Sequence, residues 1–144
     1  MLRPKLLKLL KNNKGMTLLE IMIVLAILAG LIAVLATQVQ GRLKKARINE
    51  AKIQIGEYGK SLDMFYTDCG FYPSTDQGLH ALIEAPTNCS NWGPDPYVKK
   101  LAKDPWNHEF IYESNGSSYK LKSYGGDGKE GGTGDGADIS NEDQ

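Results

Sequence analysis

Residues 16–39, MTLLEIMIVLAILAGLIAVLATQV, carry a single charge, Glu20, and no proline. As a helix rising about 1.5 Å per residue, this run spans roughly 30 Å or more, the thickness of a bilayer's hydrocarbon core. A chain that begins this way must take the run out of water, and it has no second apolar segment of that length to pack it against. Glu20 adds a constraint. A carboxylate inside such a run is costly in lipid and marks function when it occurs, which points to a final position against other protein.

The flanks do not orient the run by themselves. Arg3, Lys5, Lys8, Lys11 and Lys14 precede it, and Arg42, Lys44, Lys45, Arg47 and Lys52 follow it, so the positive-inside rule favours neither side strongly. Three readings compete. A cleaved secretory signal has a shorter apolar core followed by a small-x-small site; Ala33 and Ala36 offer one, but the core is too long. A plain signal anchor fits the length and leaves Glu20 unexplained, except as a carboxylate near the interface reaching for water. The third reading puts the processing site before the run, at Gly15–Met16.

The segment Lys14-Gly15-Met16-Thr17-Leu18-Leu19-Glu20 resembles the type IV prepilin signal. That resemblance implies cleavage after Gly15 by a prepilin peptidase on the cytoplasmic side and methylation of the new amine on Met16. It also implies retention of the apolar helix in a homopolymeric filament. There the Glu20 carboxylate would meet the Met16 ammonium of a neighbouring subunit, each offsetting part of the other's desolvation. Two departures stand out. Met16 replaces the phenylalanine commonest at that start. The proline usual later in the helix is missing, leaving Ala36-Thr37-Gln38 and only Gly30 as a flexible point, so the usual kink is not expected with the same force.

Beyond the run, Ile48, Ala51, Ile55, Tyr58, Leu62 and Phe65 recur at intervals of 3, 4, 3, 4 and 3 residues, one face of an amphipathic helix. A single helix from about Met16 to Asp68 is expected. The basic cluster Arg42 to Arg47 suits lipid head groups, acidic neighbours or plain solvent. From Cys69 to Pro105 loops dominate, with a helix entry at Ser74 or Thr75 and a short apolar helix through Leu79, Ala81, Leu82 and Ile83. Residues 108–113 and 119–124 alternate around the turn Ser114-Asn115-Gly116-Ser117, the pattern of a β-hairpin, and a third short strand fits near the end. The expected fold is α+β: a long N-terminal helix on a small antiparallel sheet. The expected division is a leader (1–15), a transmembrane or filament-core helix (16–39) and a head (40–144). In an exported head the two cysteines, Cys69 and Cys89, are expected to form a disulfide.

The segments YPSTDQGLHAL, YVKKLAKDPW and LKSYGGDGKEGGTGDGADISN narrow the resemblance to the major pseudopilin (G subunit) family of type II secretion systems, within the type IV pilin-like superfamily. The cysteine-bounded insert and Glu142, where a tryptophan often follows the asparagine, depart from it. Seven of the twelve residues from Gly125 to Gly136 are glycine. Composition alone suits a disordered acidic tail or a loop that turns carbonyls and carboxylates onto a hard cation. The resemblance implies one structural Ca²⁺, held by the side chains of Asp127, Asp138 and Ser140 and by backbone carbonyls near Tyr124 and Lys129, with Asp135 a spare candidate.

With 17 basic and 17 acidic residues the chain carries no net charge, so nothing in bulk charge points to nucleic acid. His80 and His108 form no ligand-spaced pair, and no nucleophile set or P-loop is evident, so no enzymatic activity is expected. The resemblance implies a single-pass inner-membrane protein with its head in the periplasm. Its implied partners are further copies of itself, minor pseudopilins, an inner-membrane assembly platform and prepilin peptidase. The alternatives are a type IV pilin for adhesion or motility and a monomeric membrane-anchored calcium-binding periplasmic module.

Overall fold

The computed structural model of the chain describes residues 15–143; of the leader expected over residues 1–15, all but Gly15 lies outside them. Two compact units divide the chain, Met1–Gly41 and Arg42–Gln144, and helix α1, Leu18–Cys69, contributes to both. It starts two residues later than the expected Met16 because Thr17 caps it. The Thr17 side chain accepts from Glu20 N at 3.2 Å and the Glu20 carboxylate accepts from Thr17 N at 3.3 Å, a reciprocal capping box in which Glu20 N also donates to Thr17 O at 3.1 Å. With no proline to break it, α1 is assigned as one α-helix across Gly30 and Gly41. It ends where Gly70, at φ +80°, turns left-handed and donates to Tyr66 O at 2.8 Å.

Within the first unit every described residue is exposed, including Leu18 at 81% and Ile32 at 65%. In the second unit α1 buries one stripe: Ala51, Ile55, Tyr58, Leu62 and Phe65, with Ile48 partly covered at its edge. Burying each of the larger side chains contributes roughly 1.5–3 kcal/mol. The stripe packs against Leu79, Ala81, Leu82, Phe110, Tyr112, Leu121 and Ile139. Gly59 faces Tyr119 so closely that a Cβ there would stand 3.0 Å from its hydroxyl. The Tyr58 hydroxyl accepts from Ala102 N at 2.7 Å and donates to Ala102 O at 3.2 Å, pinning the irregular stretch before the sheet to the helix.

The sheet has three antiparallel strands in the order β1-β2-β3: β1 Ile111–Ser114, β2 Tyr119–Ser123 and β3 Ile139–Ser140. Leu121 pairs with Tyr112 and Ser123 with Ile139. The hairpin turn is held by the Asn115 side-chain oxygen, which accepts from Ser117 N and Ser118 N. The short helix after Pro73 is a 3₁₀ turn, Gly78–Leu82. Ser74 and Gln77 cap each other just ahead of it. Five residues between a left-handed Gly78 and the Leu82–Tyr97 contact leave no length for an α-helix. Cys69 and Cys89 are bridged. The bond ties the end of α1 to the loop and closes 20 residues, worth about 3 kcal/mol in the chain-entropy model.

Candidate functional sites: the N-terminal motif and the acidic glycine-rich loop

Gly15 and Met16 are exposed, Met16 at 60%, and among the described residues no atom beyond its chain neighbours lies within 4 Å of a Cβ built on Gly15. A peptide bond in that setting is open to a peptidase. Glu20 lies in the first turn of α1, where the positive end of the helix dipole favours a carboxylate. The capping box engages only Oε2. Among the described residues no hydrogen bond involves Oε1, so one carboxylate oxygen remains for an ammonium from outside the chain. Thr17-x-x-Glu20 is the sequence signature of this cap, a local role for Glu20 beside the intersubunit one.

The glycine-rich tail is folded. It runs through 3₁₀ turns at Gly125–Asp127 and Gly134–Gly136 into β3 and a last turn at Asn141–Asp143. Tyr124 opens the loop, its ring 5.2 Å from the Lys122 ammonium. Asp127 Oδ1 accepts from Lys129 N at 3.0 Å and Asp138 Oδ1 from Gly131 N at 3.1 Å, so the two carboxylates staple the loop from its two sides. Backbone packs tightly around Asp127. A Cβ on Gly132, at φ +89°, or on Gly136 would come within 2.9 Å of its Oδ2. Ser140 turns toward the last turn: its hydroxyl donates to Asp143 Oδ2 at 2.8 Å and accepts from Glu142 N at 3.2 Å. These bonds from the Ser140 hydroxyl and amide hold the Asp143 carboxyl below its ordinary value. Glu130 is lowered likewise by its 2.8 Å hydrogen bond with Lys122.

The loop rests on a buried node that the sequence reading did not single out. Asp104, 4% exposed, accepts from His108 N at 2.7 Å and Trp106 N at 3.1 Å through Oδ1, and from Ser123 Oγ at 2.6 Å through Oδ2. The Ser123 hydroxyl accepts in turn from Gly125 N at 3.1 Å, so the Asp-Pro-Trp-Asn-His turn anchors the loop's first residue. Asn107 adopts φ +71° to make that turn, a conformation asparagine tolerates. Ser123 is fully buried, which removes it as a nucleophile despite the nearby His108 and Asp104. The signal available was local, an Asp followed by a Pro turn; its partner lies 19 residues away.

The donor set suits a hard cation. Asp127, Asp135, Asp138 and Ser140 offer oxygen only, as Ca²⁺ prefers, and Asp135 Oδ1 is buried without a hydrogen-bond partner. Among the described residues no three acidic, histidine or cysteine side chains already converge as a metal cage; Oδ1 of Asp127 and Oδ1 of Asp138 are engaged by the loop's own amides. Asp127, Asp135 and Asp138 therefore lie on one loop, whereas Ser140 lies in β3 with its hydroxyl turned to Asp143.

A family model described as "Type II secretion system (T2SS), protein G" matches residues 38–142, and one described as "Prokaryotic N-terminal methylation motif" matches residues 10–36. Type II secretion system core protein G of Pseudomonas aeruginosa is 43% identical over 136 residues, covering 91% of this chain and 96% of that protein. The Vibrio cholerae protein of the same name is 40% identical over 139 residues, covering 94% and 95%. The crystal structure of the major pseudopilin from the type 2 secretion system of enterohaemorrhagic Escherichia coli superposes with a TM-score of 0.63 at 32% identity, covering 73% of this chain and 94% of that one. An N-terminal methylation motif on a helix apolar enough to cross a membrane, joined to this helix-on-sheet unit, leaves one conclusion: the chain belongs to the type II secretion system protein G family.

Proposed function

We propose that the chain is the major pseudopilin of a type II secretion system, made as a membrane-anchored precursor and assembled into a periplasmic pseudopilus that drives folded proteins across the outer membrane. The observation that carries this is the first unit: every described side chain of an apolar, membrane-length helix is exposed, with Gly15–Met16 accessible before it. Prepilin peptidase cuts after Gly15 and the Met16 amine is methylated. The subunit waits in the inner membrane, head in the periplasm, and is drawn by the assembly platform, with minor pseudopilins, into contact with further copies. Removing the leader frees an ammonium two residues from the helix start, and Glu20 Oε1 of a neighbour receives it. That pairing fixes axial register, because only one offset brings the two charges together in a low-dielectric core. The subunit works mechanically and catalyses nothing itself.

The C-terminal loop is proposed to hold one Ca²⁺ through Asp127, Asp138 and Ser140, with the carbonyls of Tyr124 and Lys129 and with Asp135 in reserve. When bound, the cation supplies positive charge that screens the carboxylates from one another and turns binding energy into folding energy for a segment poor in apolar residues. The protein's own part is to hold the loop's start against Asp104 and Ser123 and its end in β3.

Intact-mass measurement of the membrane-extracted protein tests the processing. The expected mass is that of Met16–Gln144 plus one methyl group; an uncut N-terminus would instead indicate a simple anchor.

A further inference from the structure

Arg42, Lys44, Lys45 and Arg47 lie on α1, and no acidic residue interrupts the stretch from 42 to 47. All four are exposed, and among the described residues none takes part in a salt bridge. Their angular spread is what matters. At about 100° per residue they project at roughly 0°, 140°, 200° and 300° around the helix axis, so the charges form a collar and not a stripe. Leu43, 55% exposed, sits within the collar. Two residues, Gln40 and Gly41, separate Val39 from Arg42 in the sequence.

A single partner protein meets a helix on one face, and water meets a helix on one face where a core backs the other. Charges on all sides suit a surroundings that is negative in every direction. Just beyond a membrane-length apolar run, that is the head-group layer of a bilayer containing anionic lipid, where each Lys or Arg near the surface adds to binding. An exposed leucine among the charges suits the boundary between head groups and acyl chains. We infer that residues 42–47 form a juxtamembrane collar that binds anionic phospholipid head groups and holds the unassembled subunit at a fixed depth. The inference rests on the membrane-anchored reading of α1's first half. It also gives extraction into a filament a cost that depends on lipid charge, since the collar must leave those head groups.

The test uses the full processed chain reconstituted into phosphatidylcholine vesicles with trace spin-labelled phosphatidylglycerol or spin-labelled phosphatidylcholine. Flotation with neutral vesicles comes first; failure to float would overturn the membrane anchor and the collar together. Given flotation, the expected result is a preference for the anionic label of about threefold or more. It should fall toward parity at about 1 M salt, where charge interactions are screened within a few ångströms, and in the Arg42→Gln/Lys44→Gln/Lys45→Gln/Arg47→Gln protein. Single substitutions should each remove part of it. Equal retention of both labels by the unsubstituted protein, or a preference that survives the quadruple substitution, overturns the collar while the anchor stands. Unchanged lipid preference with weakened self-association in the quadruple variant assigns these charges to a protein neighbour, which also overturns it. Near-UV circular dichroism of the variant should match the parent, since no collar side chain is buried.

Discussion

The two halves of α1 are the same kind of helix in two different situations. Up to Gly41 its apolar side chains are exposed on all sides and no described residue covers them; from Arg42 on, one stripe is buried and the opposite face is charged. The second half is stabilised by its own chain. The first half must find its solvent elsewhere, in lipid or in other copies. Substitutions in the two halves should therefore report on different equilibria, head stability for one and assembly for the other.

The sharpest break of that contrast is Phe65→Ala against Leu28→Ala. Phe65 is fully buried with Phe71 and Tyr97 edge-on to it at 5.8 Å each. Its loss should cost about 3–5 kcal/mol by transfer and cavity terms, read from thermal or denaturant unfolding of the detergent-solubilised protein. Leu28, 48% exposed, should leave the same unfolding curve unmoved. Equal effects would erase the distinction between the halves.

Next comes the loop, which has few apolar contacts of its own. Removing calcium with a chelator should lower the head's melting temperature by on the order of 10 °C if the ion is near 100-fold above its dissociation constant. Asp138→Ala should melt like the chelated protein and stop responding to chelator. Melting curves unchanged in both cases would remove the metal from the picture.

The smallest effect is at Tyr112, whose hydroxyl donates to Pro73 O at 2.8 Å. Burial pushes its pKa up to about 12, while the unfolded chain keeps the ordinary 10. The folded state thus holds the phenolic proton more tightly. Tyr112 contributes its full stability below pH 10, and that contribution is lost as pH rises toward 12. Tyr112→Phe should cost about 1 kcal/mol at neutral pH through the lost hydrogen bond and flatten the alkaline limb of the stability profile. An unchanged alkaline limb would place the titration elsewhere.

Much of the fold was legible because it is written in local periodicity. The stripe Ile48 to Phe65 repeats at helical spacing, and the hairpin alternates around Asn115-Gly116. The helix runs unbroken as the missing proline allowed. What escaped the sequence is what depends on distant partners. Asp104 reads as a turn residue until Ser123 is brought to it, and the bond from the Ser140 hydroxyl to Asp143 is not visible in the spacing of the loop's acidic residues. The Thr17–Glu20 box is local and is written in the Thr-x-x-Glu spacing at the start of the apolar run. The four basic residues after the run were visible as a cluster; only their distribution around a helix shows that they encircle it.

The claim that matters most is that the exposed half of α1 is covered by other copies through Glu20 and the Met16 amine. Electron microscopy of cells overproducing the chain, beside cells producing Glu20→Ala, tests it directly. Filaments from the parent and their loss in Glu20→Ala, with the variant still processed and membrane-bound, are the predicted result. A parent that stays monomeric, or filaments that form as well without the carboxylate, would contradict it.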